Sequence, residues 1–537
     1  MKFLKNLNNF RVFILLGILW LAIFIMFFLY FDKEIFFICN DSFQYMSIAK
    51  KIYKDGTFNQ LANFALDLYY DELAIFNYDF NNIKPYHFPS YSAFLSLFYH
   101  ISNNDNIVAY LSQYIAFLIF SISSFLILSN YLTKKEALLI SIISMIFSPI
   151  LYYVSDSGKE IICSGLSLLV LYLTLYKKNN LNPFNLVLSC LILIFLSVTR
   201  SFYLLLGLLI AIYLIMPSKY KKDSLNPQLS FKIQTLIFTL FFLIPLISYI
   251  YCYFYLDLHF FAYDNKTDIY GGKSLNDLLL RIFNNIFLSY PASFIILFNN
   301  GIERAISIAL IHLYLIFFIV LNGLFAYLYF NIKKFKFKIS STNIKKIKIS
   351  RLGILTLFNI AILISLSLRF GIAGYRLLIS YIPFVFLIFY QILIIDRDKT
   401  NKFKIGLYIS GSILLIFLCN NFLNLSYYKS LNNNIINVNK SIIAKIENTN
   451  SKKIIIDNLY PNSFASLPLF NLYSDDIYFF STWQIEELCD NLKKYHEKNL
   501  DFDLVFLKKE FKSCDYFNKT FTLNEINQFG FVYLKNH

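Results

Sequence analysis

The chain has 537 residues, of which 57% are apolar and 19% aromatic, whereas only 15% are charged. Soluble domains usually carry about 25% charged residues, so this composition excludes a soluble globular enzyme, a disordered chain and a disulfide-rich scaffold. It indicates a polytopic α-helical membrane protein. The formal net charge of +16 then belongs to loops between apolar spans, and we expect membrane lipids rather than nucleic acid as partners.

Apolar segments long enough to cross roughly 30 Å of hydrocarbon predict about eleven membrane spans in residues 1–425. The first span follows Lys2, Lys5 and Arg11 and lacks a small-residue cleavage site, so we expect an anchor rather than a removed signal peptide. The predicted spans are 12–31, 106–130, 137–154, 161–176, 184–199, 201–217, 235–256, 305–330, 353–369, 377–395 and 405–425.

The basic residues of the short loops predict the orientation, since cytoplasmic loops carry the excess of Lys and Arg. With the N-terminus in the cytoplasm, these residues fall in alternate loops, most densely at 331–352. The segments predicted to face outward are 32–105, 257–304 and 426–537, with the short turns 155–160 and 370–376. We therefore predict a multi-pass protein of the inner (plasma) membrane whose polar chemistry lies on the outer face.

The tail, 426–537, is predicted to form an extracytoplasmic α/β domain. Strands alternate with helices there, which favours a parallel sheet. Cys489 and Cys514 could pair if the tail is extracytoplasmic; an error in the number of spans would place it in the cytoplasm instead. The predicted elements are a helix at about 434–448, strands at 453–457 and 476–480, a helix at 483–498, and strands at 503–507 and 529–534.

The first candidate site residue is Asp41, which opens a predicted amphipathic helix along the membrane surface. Tyr45 lies on the apolar face of this helix, Lys50 lies on the opposite, lysine-rich face, and Gly56 is the expected stop. Asp41 either caps the helix or presents a carboxylate to a cavity at the membrane boundary.

Two further acids, Asp156 and Glu160, lie in an outward turn that opens the 161–176 span. Acidic residues are favoured at a helix N-terminus, so capping would explain them. Charged groups at this depth are nevertheless expensive unless they line a wet site.

Basic and aromatic residues recur at other outward turns. Lys84, His87 and Tyr91 surround two prolines that fix an extended turn before a helix. Arg200 and Arg376 lie at outward turns, where Arg is unexpected. Each either snorkels to lipid headgroups or clamps a phosphate, for which the guanidinium fork is well suited.

A divalent metal is possible in the outward loop 257–304, and we predict no other cofactor. Asp257 and His259 are the candidate ligands, with Asp264 and Asp268 following them. Their spacing is not diagnostic of a metal site.

Three groups of these residues resemble the GT-C superfamily of membrane glycosyltransferases, and in style its protein O-mannosyltransferase and lipid A aminoarabinose transferase group. They are the segment from Asp41 to Ala49, the segment from His87 to Leu95, and the turns that contain Arg200 and Arg376. The resemblance extends over nearly the whole chain. It implies a GT-C-like transmembrane bundle with an outward active site, and a donor sugar carried on a polyprenyl phosphate.

The resemblance also implies roles for the candidate residues. Asp41 would be the main catalytic residue, and either Glu160 or Asp156 would be the acid of the second outward loop. The donor phosphate would be bound by Lys84, Arg200, Tyr375 and Arg376, and the substrates would contact Tyr45, His87 and Tyr91. We expect an inverting displacement onto a lipid, glycan or protein acceptor. The alternatives are a flippase or other transporter of lipid-linked sugars, and a non-catalytic assembly or anchoring protein.

Overall fold

The computed structural model is mostly helical in the residues that it describes, with one six-stranded sheet. The described residues are 9–33, 41–58, 63–65, 90–146, 158–177, 181–217, 230–255, 351, 353–354, 357–358, 383–384, 387, 429, 433, 444–457, 478–482, 488–497, 501–507, 510–511, 514–527 and 530–536.

In the described ranges, nine of the eleven helices lie in the first 255 residues, and five of the six strands lie after residue 450. Two π-helical turns, Tyr172–Tyr176 and Thr239–Leu243, lie within the helices Glu160–Tyr176 and Phe231–Phe254. The helices are α1 (Asn9–Tyr30), α2 (Asp41–Asp55), α3 (Ser90–Tyr99), α4 (Asp105–Leu128), α5 (Lys134–Ile146), α6 (Glu160–Tyr176), α7 (Pro183–Thr199), α8 (Tyr203–Ile215), α9 (Phe231–Phe254), α10 (Leu488–Glu497) and α11 (Asp515–Thr520). The strands are β1 (Asn63–Ala65), β2 (Lys453–Asp457), β3 (Tyr478–Thr482), β4 (Leu504–Leu507), β5 (Phe521–Asn527) and β6 (Gly530–Lys535).

Three helices, α1, α4 and α9, are long and apolar enough to cross a membrane. The shorter apolar helices α6, α7 and α8 coincide with three more predicted spans. Helix α5 covers the first part of the span predicted at 137–154. The spans predicted at 305–330 and 405–425 lie outside the described residues, as do nearly all positions of those at 353–369 and 377–395.

Local capping explains where several helices begin. The side chain of Asn104 accepts a hydrogen bond from the backbone N–H of Ile107 at 3.1 Å, which satisfies a free donor at the start of α4. Before α5, Glu136 Oε2 accepts from the backbone N–H of Thr133 at 3.0 Å, and the backbone N–H of Glu136 lies 3.5 Å from Thr133 Oγ1, which makes a capping box. Gly56 has a φ of +67° directly after α2, so the expected stop of this helix is confirmed.

Helix α1 packs against α4 along one face and leaves the other open. Trp20 Nε1 donates to Ser121 Oγ at 2.6 Å, and the rings of Trp20 and Phe117 lie 4.8 Å apart. The opposite face carries exposed apolar side chains, including Phe10 and Ile18. A helix with one packed and one exposed apolar face suits the periphery of a membrane bundle.

The sheet has the strand order β1-β3-β2-β4-β6-β5. Strands β1, β3, β2 and β4 are parallel, whereas β6 runs antiparallel to both β4 and β5. The prediction of a parallel sheet is therefore wrong for β6, and β5 was not predicted. Asn527 pairs with Gly530, and two intervening residues are too few for a parallel crossover, which needs a dozen or more.

Strand β1 was not predicted, and it links the first outward segment to the tail. Asn63–Ala65 pairs in parallel with β3, with Asn63 opposite Phe479. A second contact also joins the first outward segment to the tail, since Lys429 Nζ lies 3.3 Å from Asp32 Oδ2, just after α1. Because a sheet cannot be divided by a bilayer, the six strands must lie on the same side of any membrane that the chain crosses.

The two faces of the sheet bury different partners. Ile454, Leu504 and Phe506 belong to the same hydrophobic cluster as the apolar helices. On the other face, Ile455 and Val505 form a second cluster with residues of α10 and α11. A disulfide joins Cys489 of α10 to Cys514, whose sulfur caps α11, with a Cα–Cα distance of 6.1 Å.

Candidate functional site

A polar cluster lies where the first residues of α3 and α6 meet the turn between α7 and α8. We call Tyr45, Tyr91, Gln113, Lys159, Glu160 and Arg200 the junction cluster. All except Arg200 are buried, and the Arg200 side chain is 19% exposed. Four of the six, namely Tyr45, Tyr91, Glu160 and Arg200, are site residues predicted from the sequence.

The central contact is an ion pair between Glu160 and Arg200. Arg200 Nη2 donates to Glu160 Oε1 at 2.8 Å, and the Glu160 side chain is 5% exposed. Glu160 begins α6, where the helix dipole favours an acid, and Arg200 follows the last residue of α7. The guanidinium is therefore held by a carboxylate, which argues against simple snorkelling to lipid headgroups.

A hydrogen-bonded group lies beside this pair. The Tyr91 hydroxyl donates to the carbonyl oxygen of Gly158 at 3.0 Å, and Gln113 Nε2 donates to the same carbonyl at 2.8 Å. Gln113 Nε2 also lies 3.1 Å from the Tyr91 hydroxyl oxygen. These bonds fix the backbone directly before Lys159 and Glu160.

Lys159 contacts the helix that begins with Asp41. Its Nζ lies 4.6 Å from the ring centre of Tyr45, a cation–π geometry. The Tyr45 ring meets the Tyr91 ring edge-on at 5.2 Å. Both a basic and an aromatic side chain of the cluster thus lie one helical turn from the start of α2.

The turn between α7 and α8 is held to α3 by a short hydrogen bond. Ser90 Oγ and Thr199 Oγ1 lie 2.7 Å apart. This bond places Arg200, the next residue, beside the first turn of α3, which carries Tyr91. The first turn of α3 and the Thr-Arg pair at 199–200 therefore meet at one place.

Asp41 is the first residue of α2, and its side chain lies outside the described residues. Its backbone position sets it one turn before Tyr45. The predicted site residues Asp156, Lys84, His87, Tyr375, Arg376, Asp257 and His259 also lie outside the described residues. Across the described ranges, no group of three or more His, Cys, Asp or Glu side chains could hold a metal ion.

Sequence reasoning missed Lys159 and Gln113. A signal existed for Gln113, because it is a strongly polar residue in the middle of an apolar span. Lys159 stands between the two acids of the predicted turn. Lysine is abundant in this chain, so a single lysine gave no signal of a special role.

Lys50 belongs to the predicted lysine-rich face of α2, but that face is not solvated at this position. This side chain is buried, and its Nζ lies 2.8 Å from Asp105 Oδ2 at the start of α4. Burial lowers the pKa of the Lys50 ammonium, and the neighbouring Asp105 carboxylate opposes that shift. Helix α2 is thus docked on the bundle along two faces.

Within the described residues, the arrangement can bind an anion and move a proton. Arg200 and Lys159 supply positive charge, Glu160 supplies a carboxylate, and the two tyrosines supply hydroxyls. No model of a known protein family matches the chain, and no curated protein matches its sequence.

Proposed function

We propose that the protein is a membrane glycosyltransferase that moves a sugar from a polyprenyl-phosphate donor to a lipid, glycan or protein acceptor. The observation that carries this proposal is the junction cluster. Two basic side chains, Lys159 and Arg200, and the carboxylate of Glu160 meet beside the helix that begins at Asp41. The resemblance to the GT-C superfamily is part of the same proposal.

The chemistry of glycosyl transfer needs these groups. A departing phosphate gains negative charge, and basic groups fixed in a site of low dielectric stabilise it. The acceptor hydroxyl must lose a proton. A general base placed to accept that proton typically accelerates a reaction by about 10²–10⁴-fold. We assign Arg200, with Lys159, to the phosphate and Asp41 to the acceptor proton.

Glu160 has a supporting role in this proposal. The Glu160 carboxylate accepts a hydrogen bond from the Arg200 guanidinium, and this bond fixes the orientation of the guanidinium plane. A guanidinium has five N–H groups and binds phosphate oxygens as well as carboxylates, so Arg200 suits a site for the donor phosphate.

The disulfide supports an extracytoplasmic site. Disulfides persist in oxidising compartments, and Cys489–Cys514 lies in the domain whose sheet includes β1. Helix α2 ends only a few residues before β1. We therefore place α2 and the junction cluster on the outer face of the membrane, where nucleotide sugars are absent and a lipid-linked donor is required.

Purified full-length protein in liposomes, supplied with a panel of radiolabelled polyprenyl-phosphate hexoses and pentoses, tests the function. We expect release or transfer of the sugar by the wild type. Asp41→Asn should reduce turnover by roughly 10²–10⁴-fold, and Arg200→Gln by roughly 10²–10³-fold, whereas Arg200→Lys should retain part of it.

Asp55→Asn is the matched control, because Asp55 pairs with Lys51 on the exposed side of the same helix. This variant should stay within about twofold of the wild type, as surface pairs contribute little. Translocation of an intact lipid-linked sugar without transfer would instead establish the flippase alternative, and full turnover by Asp41→Asn would remove Asp41 from the mechanism.

A further inference from the structure

Lys50, Tyr99 and Asp105 form a second buried polar group, which we call the α2 lock. Lys50 Nζ lies 2.8 Å from Asp105 Oδ2, and the Tyr99 hydroxyl donates to Asp105 Oδ1 at 2.8 Å. The side chains of Lys50 and Asp105 are 11% and 14% exposed. The lock joins the middle of α2 to the turn between α3 and α4.

Such a pair is an inefficient way to hold two helices together. Removing two charges from water costs several kcal/mol per ion, and apolar side chains of similar volume often stabilise as much or more. Helix α2 already buries Tyr45, Met46, Ile48 and Ala49. The apolar contacts supply attachment, whereas a directional ion pair can select one axial position.

The surroundings of the lock restrict the lysine to one direction. Lys50 Nζ lies 6.0 Å from the ring centre of Tyr99, and the Tyr99 ring stacks on Tyr53 of α2 at 5.9 Å. His100 meets the Tyr53 ring edge-on at 4.9 Å. Among the described residues, the charged groups that act on Lys50 include Asp105 and, from its own helix, Lys54.

We propose that Lys50 and Asp105 are positioning residues that set the axial position and rotation of α2, and with them the place of Asp41 over the junction cluster. This inference rests on the proposed function for its catalytic consequence. Asp41 lies nine residues before Lys50, about 13 Å along a helix. A small rotation or slide of α2 at the lock therefore displaces its first residue relative to Lys159 and Arg200.

The test removes the pair without leaving one charge buried. In the double variant Lys50→Met/Asp105→Asn, Met keeps the apolar part of the lysine side chain, and the Asn Oδ1 can still accept the hydrogen bond from Tyr99. We expect it to fold, to lose roughly 10- to 100-fold in kcat, the effect of misplacing a catalytic group, and to keep its donor KM within about threefold. Lys50→Arg, which preserves the pair, should recover most of the turnover.

A spectroscopic measurement tests the lock independently of catalysis. Spin labels at Lys54→Cys and Ile107→Cys, both exposed positions on α2 and α4, report the distance between the two helices in a background without other free cysteines. We expect the double variant to broaden or shift the distance distribution. Lys51→Met is the control, because its partner Asp55 lies on the same helix, and it should leave the distribution unchanged.

The two readouts separate the lock from the function. An unchanged distance distribution in the double variant overturns the lock, as does unchanged kcat in an active enzyme. If the wild type transfers no sugar from any donor, the proposed function fails, and the distance distribution alone decides whether Lys50 and Asp105 position α2.

Discussion

The Glu160–Arg200 pair shows how one contact can be both costly and necessary. Glu160 is buried, and Arg200 is mostly so. Burying two charges costs about as much as their attraction returns, whereas removing one partner leaves the other uncompensated. The pair therefore contributes direction and charge to the junction cluster more than it contributes net stability.

This asymmetry predicts the order of stability among three variants. Arg200→Gln should destabilise the protein by roughly 3 kcal/mol, because the Glu160 carboxylate is left without its cation. The double variant Glu160→Gln/Arg200→Gln should be more stable than Arg200→Gln alone. Thermal unfolding of the three proteins in detergent measures this order, and additive losses in the double variant would contradict it.

Acid should weaken a contact in the tail. Hydrogen bonds from His496 and Lys535 lower the pKa of the Asp501 carboxyl. A carboxyl whose pKa is lowered by folding stabilises the protein fully at a pH above its pKa in the unfolded chain, about 3.9 for Asp. This stabilisation is lost as the pH falls through the pKa of the folded state. All three side chains are partly exposed, so the contribution is at most about 1 kcal/mol and is screened by salt.

Melting temperatures between pH 3 and 6 detect this loss. The wild type should lose more stability than Asp501→Asn as the pH falls below about 4, and high salt should reduce the difference. Identical pH profiles for the two proteins would show that the Asp501 contacts contribute nothing in solution.

Residues of the junction cluster could be predicted from the sequence where their residue type is rare in this chain. Arg200 attracts notice because Arg is uncommon outside the basic loops, and the structure places it against Glu160. Lys159 and Lys50 escape notice because Lys is abundant, so one lysine carries little information. Their burial arises from tertiary contacts with Tyr45 and Asp105, which no local pattern encodes.

At the scale of elements, close helix packing depends on a few glycines. A Cβ atom at Gly165 would lie 2.8 Å from the backbone nitrogen of Phe120, so α4 and α6 are in backbone contact there. At Gly207, an added Cβ would meet the carbonyl oxygen of Phe241 in the π-helical turn of α9. Small residues permit such approaches between membrane helices.

Gly165→Ala should therefore force α4 and α6 apart and cost about 1–3 kcal/mol, the usual cost of overpacking. Thermal unfolding in detergent measures the loss. Gly17→Ala is the matched control in another helix, because its added Cβ would lie 3.7 Å from the Tyr114 hydroxyl, an ordinary contact. Equal melting temperatures for the two variants would contradict the backbone contact.

Helices and strands could be predicted from the sequence wherever the spacing of apolar residues was regular. Strand β2 matches its predicted bounds, β4 begins one residue later, and β3 is displaced by two residues. Strands β5 and β1 were missed for different reasons. The polar residues of β5 conceal a strand at the sheet edge, and β1 has three residues whose partner lies at the far end of the chain.

For the whole molecule, the shared sheet determines which segments lie together. Strand β1 pairs with β3, and α4 separates β1 from the turn before α5. If α4 crosses the membrane, Phe58 and Ile526 lie on one side and Lys134 lies on the other. All three positions are exposed.

Cysteine labelling in whole cells tests this arrangement. We expect a membrane-impermeant maleimide to label Phe58→Cys and Ile526→Cys directly, and to label Lys134→Cys only after permeabilisation, in a background whose free cysteines are replaced by serine. Labelling of Phe58→Cys and Ile526→Cys from opposite sides would contradict the shared sheet. Labelling of all three in intact cells would contradict the crossing by α4.

The distance in sequence between β1 and β3 also constrains biosynthesis. About 400 residues separate the two strands, so β1 emerges about 20–80 s before its partner at a translation rate of about 5–20 residues per second. During that interval its backbone groups have no neighbouring strand, which is a known hazard for association with other chains. Newly made protein should thus depend on factors that shield β1 until β3 has been synthesised.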